Sequence, residues 1–505
     1  MWHRFTSYDF RVIGHYLGIL VLLNALALCI PFVTGILFGE WEPASRYFTA
    51  IGISLVIGSL MQMLRFEPGE LNAQQAMAVT GFSWILLALI GAIPLLGSGH
   101  YGSYIDALFD AVSGWTVTGA SVISDLDHLS NADNMWRFTM HLFGGLGLVV
   151  IALSLGMLGR GAKSSMYSSE GHTEHVVPNV VETTRLIGKI SFIFIGLFTV
   201  ILAVFCIVAG MDPARGFLHG LWISISGFMT AGFVPTNSNI YYYHSPIMEV
   251  VIMVLMIVGG INFSLYAEVW KGRLSSFWKD TELRTMLVWL LILVVVFTLS
   301  LCASPLFNGT IELARRGLFM VFAAASTTGF ATVTQNQMVT VFSSGAFLML
   351  AAAMAVGLSA GSTSGGIKMS RISTIFKSIM ATVKQAASPD SMKIVSTYHH
   401  IGRHVVDEGM VKAAMTIFTL FIMTYAMGTL AGIAHGYDAI WAIFDAVSMA
   451  SNGGLTSGII SPDMPVTLEL IYILEMLAGR LEFVTLIALI IKIGVSLVPR
   501  RKEEE

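Results

Sequence analysis

Charge is scarce in this sequence. Only 12% of its 505 residues are Asp, Glu, Lys or Arg, about half the share of an ordinary soluble domain. The formal net charge is −3 and the basic residues are dispersed, so no electrostatic footprint for nucleic acid exists. Cysteine is scarcer still. Cys29, Cys206 and Cys302 lie in or beside apolar runs without metal-ligand spacing, which excludes a disulfide framework and leaves them as packing residues. HExxH, Walker A and a strand-linked GxGxxG are missing, so the expectation is no enzyme and no nucleotide bound by this chain. The opening "MWHRFTSYDFRVIG" runs into an apolar stretch without a small-residue cleavage site, so no removable signal peptide is expected.

Apolar residues fill the space that charge leaves: 55% of the chain is hydrophobic and the mean hydropathy is +0.75. Apolar runs lie near 12–37, 46–63, 75–97, 136–158, 186–210, 246–268, 284–303, 341–360, 411–434 and 467–497. Stretches of this length cross about 30 Å of hydrocarbon as helices, so the fold class is an all-α integral membrane protein. Arg160 and Lys163, the group Lys271, Arg273 and Lys279, the group Lys368, Arg371 and Lys377, and Arg500 to Lys502 gather at span ends. The positive-inside rule places them in the cytoplasm, which puts "FGEWEPAS" and "SDLDHLSNADN" outside.

Between spans lie shorter segments that end in small and hydroxylic residues. "FDAVS" occurs at Phe109 to Ser113 and at Phe444 to Ser448, and in both a glycine follows the serine by six positions. Those glycines are Gly119 and Gly454. Ten residues before Gly232 and Gly329 stand Trp222 and Phe319, so four glycines share one aromatic offset. Their contexts are "TVTGAS", "MTAGFV", "STTGFA" and "NGGLTS". One such tract alone is commonly a kink or a close helix contact. Four in one frame predict four pseudo-symmetric units of helix, half-helix, loop and helix around one pore, with two extra helices in front. Irregular backbone at membrane depth needs protein cover or a water-filled cavity. Glycine lets a backbone turn its carbonyls to a common centre, where they replace a cation's hydration shell, and the inward C-terminal ends of the half-helices favour the same charge.

On these motifs the chain resembles the Trk/Ktr/HKT superfamily of potassium transporters and channels over nearly its whole length, and within it the bacterial Trk membrane subunit. The resemblance implies a K+ filter made of Val117, Thr118 and Gly119, of Thr230, Ala231 and Gly232, of Thr327, Thr328 and Gly329, and of Asn452, Gly453 and Gly454. In the fourth copy Asn452 and Gly453 stand where the third has Thr327 and Thr328, so the ring of ligands is uneven. It implies an intramembrane gating loop in "GLSAGSTSGGIKMSR", with Gly357, Gly361, Ser362, Thr363, Ser364, Gly365, Gly366 and Lys368, and a pore-barrier arginine at Arg480. It implies potassium ion as the transported species, the cytoplasmic (inner) membrane with filter loops outward, a homodimer, and a separate cytoplasmic nucleotide-binding regulatory subunit. The expected division is 1–70 for the two leading helices, 71–165, 180–275 and 280–385 for the first three pore repeats, and 405–500 for the fourth.

A charge at the centre of a membrane helix costs roughly 2.5 to 3.5 kcal/mol, so Arg480, set in the last apolar run, is expected to face the pore or to pair with Glu475 or Glu482. The histidines of "EGHTEH" (His172, His175) and "YHHIGRH" (His399, His400, His404) have spacings that suit a metal only on a helix, and read as solvated loop residues. A competing function is an alternating-access cation carrier coupled to Na+ or H+. Such folds are built from inverted repeats, whereas these four copies share one orientation.

Overall fold

The structure is a computed structural model that describes residues 5–64, 72–147, 180–301, 310–389, 394–400, 402–481 and 483–497. Arg160, Lys163, His172, His175, Cys302, Glu482 and Arg500 to Lys502 lie outside the described residues. Among the described residues all regular structure is helical except one antiparallel hairpin, Thr397–His400 with Gly402–Val405.

Two leading helices, Ser7–Leu37 and Trp41–Gln62, pack along each other. Small residues set their separation: a Cβ on Gly18 would lie 2.8 Å from the Gly58 carbonyl oxygen, the close backbone approach that drives helix association where lipid offers no hydrophobic gain. Arg46 (2.9 Å) and the Tyr47 hydroxyl (2.7 Å) tie the second helix to the buried carboxylate of Asp133.

Four sets of elements then follow in the same order. Each has a long helix (Ala73–Leu96, Val180–Val208, Thr281–Leu301, Glu408–Ala434), a short half-helix (Tyr104–Thr116, Pro213–Phe228, Thr310–Ala325, Ala439–Ala450), a glycine loop and a second helix (Asn131–Leu146, Pro246–Gly259, Ser344–Val356, Val466–Arg480). Polarity is inverted relative to a soluble protein. Leu26, Phe48, Phe192, Leu291 and Leu430 are more than 60% exposed, while Asp110, Arg137, Asp445 and the loop threonines are buried. Outward leucine and phenylalanine suit hydrocarbon, and the polar groups turn inward to find partners.

The expectation of ten continuous spans needs correction. Among the described residues six helices are long and apolar enough to cross a membrane, and Pro246–Gly259 with Phe263–Trp270 forms a seventh only as a pair bent by 92°. The runs 246–268, 341–360 and 467–497 are each broken. Asn262 caps the second half of the first by accepting from the Ser264 N–H at 2.8 Å. Glycine-rich chain replaces helix after Val356, and Leu481 interrupts the third between Val466–Arg480 and Phe483–Leu497. Hydropathy averages over such breaks, because the residues on either side stay apolar.

Candidate functional site

Each half-helix ends the same way. The N–H of the residue just before the glycine donates back to the carbonyl five positions earlier: Thr118 to Ser113 (2.9 Å), Ala231 to Ser226 (2.8 Å), Thr328 to Ala323 (2.9 Å) and Gly453 to Ser448 (2.7 Å). One residue earlier, Val117, Thr230, Thr327 and Asn452 all take left-handed backbone, with φ of 62, 50, 55 and 54°. This is a Schellman closure, a position normally given to glycine. Left-handed valine and threonine cost of order 1–3 kcal/mol each and persist only where the surroundings over-determine them. Gly119, Gly232, Gly329 and Gly454 follow at φ of 82, 88, 79 and 72°.

Contacts between the loops close a ring. A Cβ on Gly119 would sit 2.0 Å from the Ala231 carbonyl oxygen; on Gly232, 2.3 Å from that of Thr328; on Gly329, 2.6 Å from that of Gly453; on Gly454, 2.2 Å from that of Thr118. First meets second, second third, third fourth, and fourth first. All twelve residues named from the sequence fall in this ring, and the four half-helix C-termini converge on it, each carrying about half a negative charge. The uneven fourth copy has a structural use: the Asn452 side-chain amide donates to Thr118 Oγ1 at 2.8 Å and to the Met476 carbonyl at 3.0 Å.

Sequence reasoning missed what braces the ring. Asp110 and Asp445, nine residues before their glycines, accept the N–H three residues after them: Val122 to Asp110 at 3.1 Å and Ser457 to Asp445 at 2.7 Å. Both are fully buried, and Arg137 Nε stands 3.5 Å from Asp110. The second and third copies carry Ile223 and Met320 there. Their loops are instead joined by Asn239, whose side chain accepts from the Ala331 N–H at 3.0 Å. The repeated "FDAVS" contained this signal.

Glycines on the second helices let them approach. A Cβ on Gly144, Gly259 or Gly479 would lie 2.0–2.1 Å from the carbonyl oxygen of Trp115, Phe228 or Ala450, the last residue or last but one of each half-helix. The third unit breaks this pattern, for its helix stops at Val356 and Gly357 (φ +68°) packs against the Gly365 carbonyl instead. From there residues 357–368 are knitted beneath three of the four ring loops. Thr363 Oγ1 is within reach of the Phe228 and Gly259 carbonyls (3.0 and 2.9 Å) and of Thr230 Oγ1 (3.1 Å). The Gly365 N–H donates to Thr327 Oγ1 (2.6 Å) and the Gly366 N–H to the Ser451 carbonyl (3.0 Å). Gly361 lies against Asn262, Ser362 Oγ donates to the Ser359 carbonyl, and Lys368 Nζ donates to the Ser364 carbonyl.

Beside this segment lies a cavity of about 770 Å³ lined by Gly365, Gly366, Lys368, Asn452, Gly479 and Arg480, among others. Arg480 does not sit at mid-helix as the sequence suggested. It is the last residue of Val466–Arg480, where the chain breaks, and its guanidinium donates to the carbonyls of Gly144 (2.7 Å) and Gly145 (3.3 Å) at the end of Asn131–Leu146. Glu475 turns elsewhere, against Gly428 of the preceding long helix. His399, His400 and His404 fall on the hairpin, so the helical spacing required for a metal does not arise. Nor is His400 solvated: its Nδ1 lies 2.7 Å from the buried Asp280 carboxylate.

Residues 44–496 match the family described as TrkH, cation transport protein. The chain belongs to that family. It is 29% identical over 493 residues to the Trk system potassium uptake protein TrkH of Escherichia coli, covering 95% of this chain and 98% of that one. An uncharacterized cation transporter of Methanocaldococcus jannaschii is 27% identical over 488 residues, 96% of each chain. The crystal structure of the potassium transporter TrkH from Vibrio parahaemolyticus superposes with a TM-score of 0.80 at 24% identity, covering 97% of this chain and 99% of that chain, which establishes the shared fold. This TrkH-family chain is thus a multi-pass membrane protein of cation transport.

Proposed function

We propose that this protein takes up K+ across the cytoplasmic membrane through one gated pore per chain, with the ring of four loops as its selectivity filter. The observation that carries the reading is the closed ring itself: four strained backbone turns and four left-handed glycines, each packed on the next loop's carbonyl oxygen. Carbonyl rings replace a monovalent cation's hydration shell, and converging helix C-termini stabilise its charge. The potassium uptake named for the E. coli relative supports K+ as the ion. The ring opens to the outside, in agreement with the basic residues at the opposite ends of the spans.

Residues 357–366 act as the gate, since they lie against three of the four loops and are held by hydrogen bonds rather than by a continuous helix. Arg480 places a positive charge at the wall of the cavity beside them and shortens the ion's stay below the filter. The working form is a homodimer that recruits a cytoplasmic nucleotide-binding subunit, a reading supported by the resemblance to the bacterial Trk membrane subunit. Purified protein in liposomes tests the core of this reading. With a K+ gradient against Na+, the reversal potential should follow K+, and unitary flux should exceed carrier turnover. A reversal potential indifferent to K+ would remove the filter assignment.

A further inference from the structure

A carboxylate from another element holds the gating segment from within and from just beyond its end. Glu282, in the first turn of Thr281–Leu301 and only 7% exposed, accepts through one oxygen from the Ala360 N–H at 2.7 Å and the Ser370 N–H at 3.0 Å. Those two donors lie ten residues apart, on either side of Gly361 to Gly366. Ser370 is in the first turn of the helix Met369–Ala386, whose N-cap is Lys368 at φ +81°. Lysine has no acceptor to offer the free N–H groups of a helix start, and Glu282 provides one while placing its charge at the positive end of the helix dipole.

Glu282 is itself held in place. Its neighbour Asp280 is fully buried, accepts from the Leu283 N–H at 2.9 Å and faces His400 Nδ1 at 2.7 Å. Thr281 Oγ1 accepts from the His399 N–H at 2.9 Å. Residues 280–282 therefore clamp the hairpin 397–405 with two side chains and the gating segment with the third.

We propose that Glu282 is the positioning residue that holds the 357–366 segment against the filter loops, fastening Ala360 within it and Ser370 just beyond it through one oxygen. The inference rests on the reading of that segment as the gate. Release of the clasp costs the closed arrangement two charge-assisted hydrogen bonds, which are stronger than neutral ones, and leaves the segment's other contacts, among them those of Thr363, Gly365 and Gly366, to hold it.

The test is K+ flux into liposomes from purified parent, E282A, E282Q, E282D, a variant lacking residues 361–364, and E282A combined with that deletion. E282A should raise basal flux about tenfold, the factor that 1.4 kcal/mol supplies. E282Q keeps an acceptor oxygen at the same reach without the charge that strengthens both bonds, and its flux should lie between those of the parent and E282A. In the deletion background E282A should add nothing, because both changes act through the same segment. If E282A cannot be purified as a monodisperse protein, E282D carries the test, its carboxylate drawn back by one methylene and its flux expected to lie between those of the parent and the deletion. A raised flux in the deletion with parental flux in E282A, or in E282D where that variant stands in, overturns the role of Glu282 and leaves the gate reading in place. Parental flux in the deletion overturns the gate reading, and the inference with it.

Discussion

Asn452 and Thr118, 334 positions apart in the chain, are joined side chain to side chain at 2.8 Å and so lock the fourth ring loop to the first. This is the joint at which the ring closes. Asn452→Ala takes that donor from Thr118 Oγ1, which keeps Thr116 Oγ1 at 2.8 Å, and from the Met476 carbonyl, a net loss of about 0.5–1.5 kcal/mol per bond. The variant should discriminate less between K+ and Na+ while still conducting K+. Reversal potentials under opposed K+ and Na+ gradients measure the change, and a selectivity equal to the parent's would show that the joint is dispensable.

The four ring glycines should not be equally sensitive to substitution. An added Cβ meets a neighbouring carbonyl oxygen at 2.0 Å for Gly119, 2.2 Å for Gly454, 2.3 Å for Gly232 and 2.6 Å for Gly329. All four have positive φ, so serine is strained at each. Loss of K+ over Na+ discrimination should therefore be greatest in Gly119→Ser and least in Gly329→Ser. Reversal potentials ranked across the four serine variants give the order, and a flat series would mean that ring packing does not set selectivity.

The glycines were legible because each stands at a fixed distance from a buried aromatic, Phe109, Trp222, Phe319 or Phe444, and a repeated offset survives divergence of the residues between. The left-handed turn two residues before each glycine was not. Val117, Thr230 and Thr327 are residue types that avoid this conformation, and only the ring contacts force them into it. The breaks at Gly260 and Leu481 were hidden for another reason, since a hydropathy window reads apolar residues on both sides of a break as one run. Asp110 and Asp445 were visible in the repeated "FDAVS", but their partners are backbone N–H groups twelve residues ahead, which no side-chain motif marks. His400 looked solvated because its partner, Asp280, is 120 positions away.

Arg480 makes two separable contributions, a positive charge at the cavity wall and donors to the Gly144 and Gly145 carbonyls. A unit charge roughly 10 Å from an ion, at an effective dielectric constant of about 20, is worth ~1.7 kcal/mol. Arg480→Gln removes the charge and retains a donor, whereas Arg480→Ala removes both. Both variants should raise K+ flux, by up to about twentyfold on that electrostatic scale. Parental flux in Arg480→Gln together with a rise in Arg480→Ala would assign the effect to the lost helix-end contacts instead.

Asp445 accepts from the Ser457 N–H at 2.7 Å and from Thr456 Oγ1 at 3.1 Å, and so fixes the chain that leaves the fourth loop. Asp110 does the same for the first loop through Val122 and Ser121, at 3.1 and 3.0 Å. Alanine at Asp445 strands a buried N–H, a loss of about 1–3 kcal/mol, alanine at Asp110 also strands the buried Arg137 guanidinium, a loss of about 3–5 kcal/mol, and both free the backbone just beyond the filter glycine. Ile223→Ala and Met320→Ala, at the matching positions of the other two copies, remove only packing, at a cost of about 2–5 kcal/mol. Both aspartate variants should therefore lose K+ over Na+ discrimination, Asp445→Ala with the smaller fall in thermal stability. The isoleucine and methionine variants should lose more stability than Asp445→Ala and keep their selectivity. Melting temperature in detergent and reversal potential in liposomes, measured on the same four preparations, separate the two effects. Selectivity that simply tracks melting temperature across all four would show that the aspartates brace the fold and not the filter.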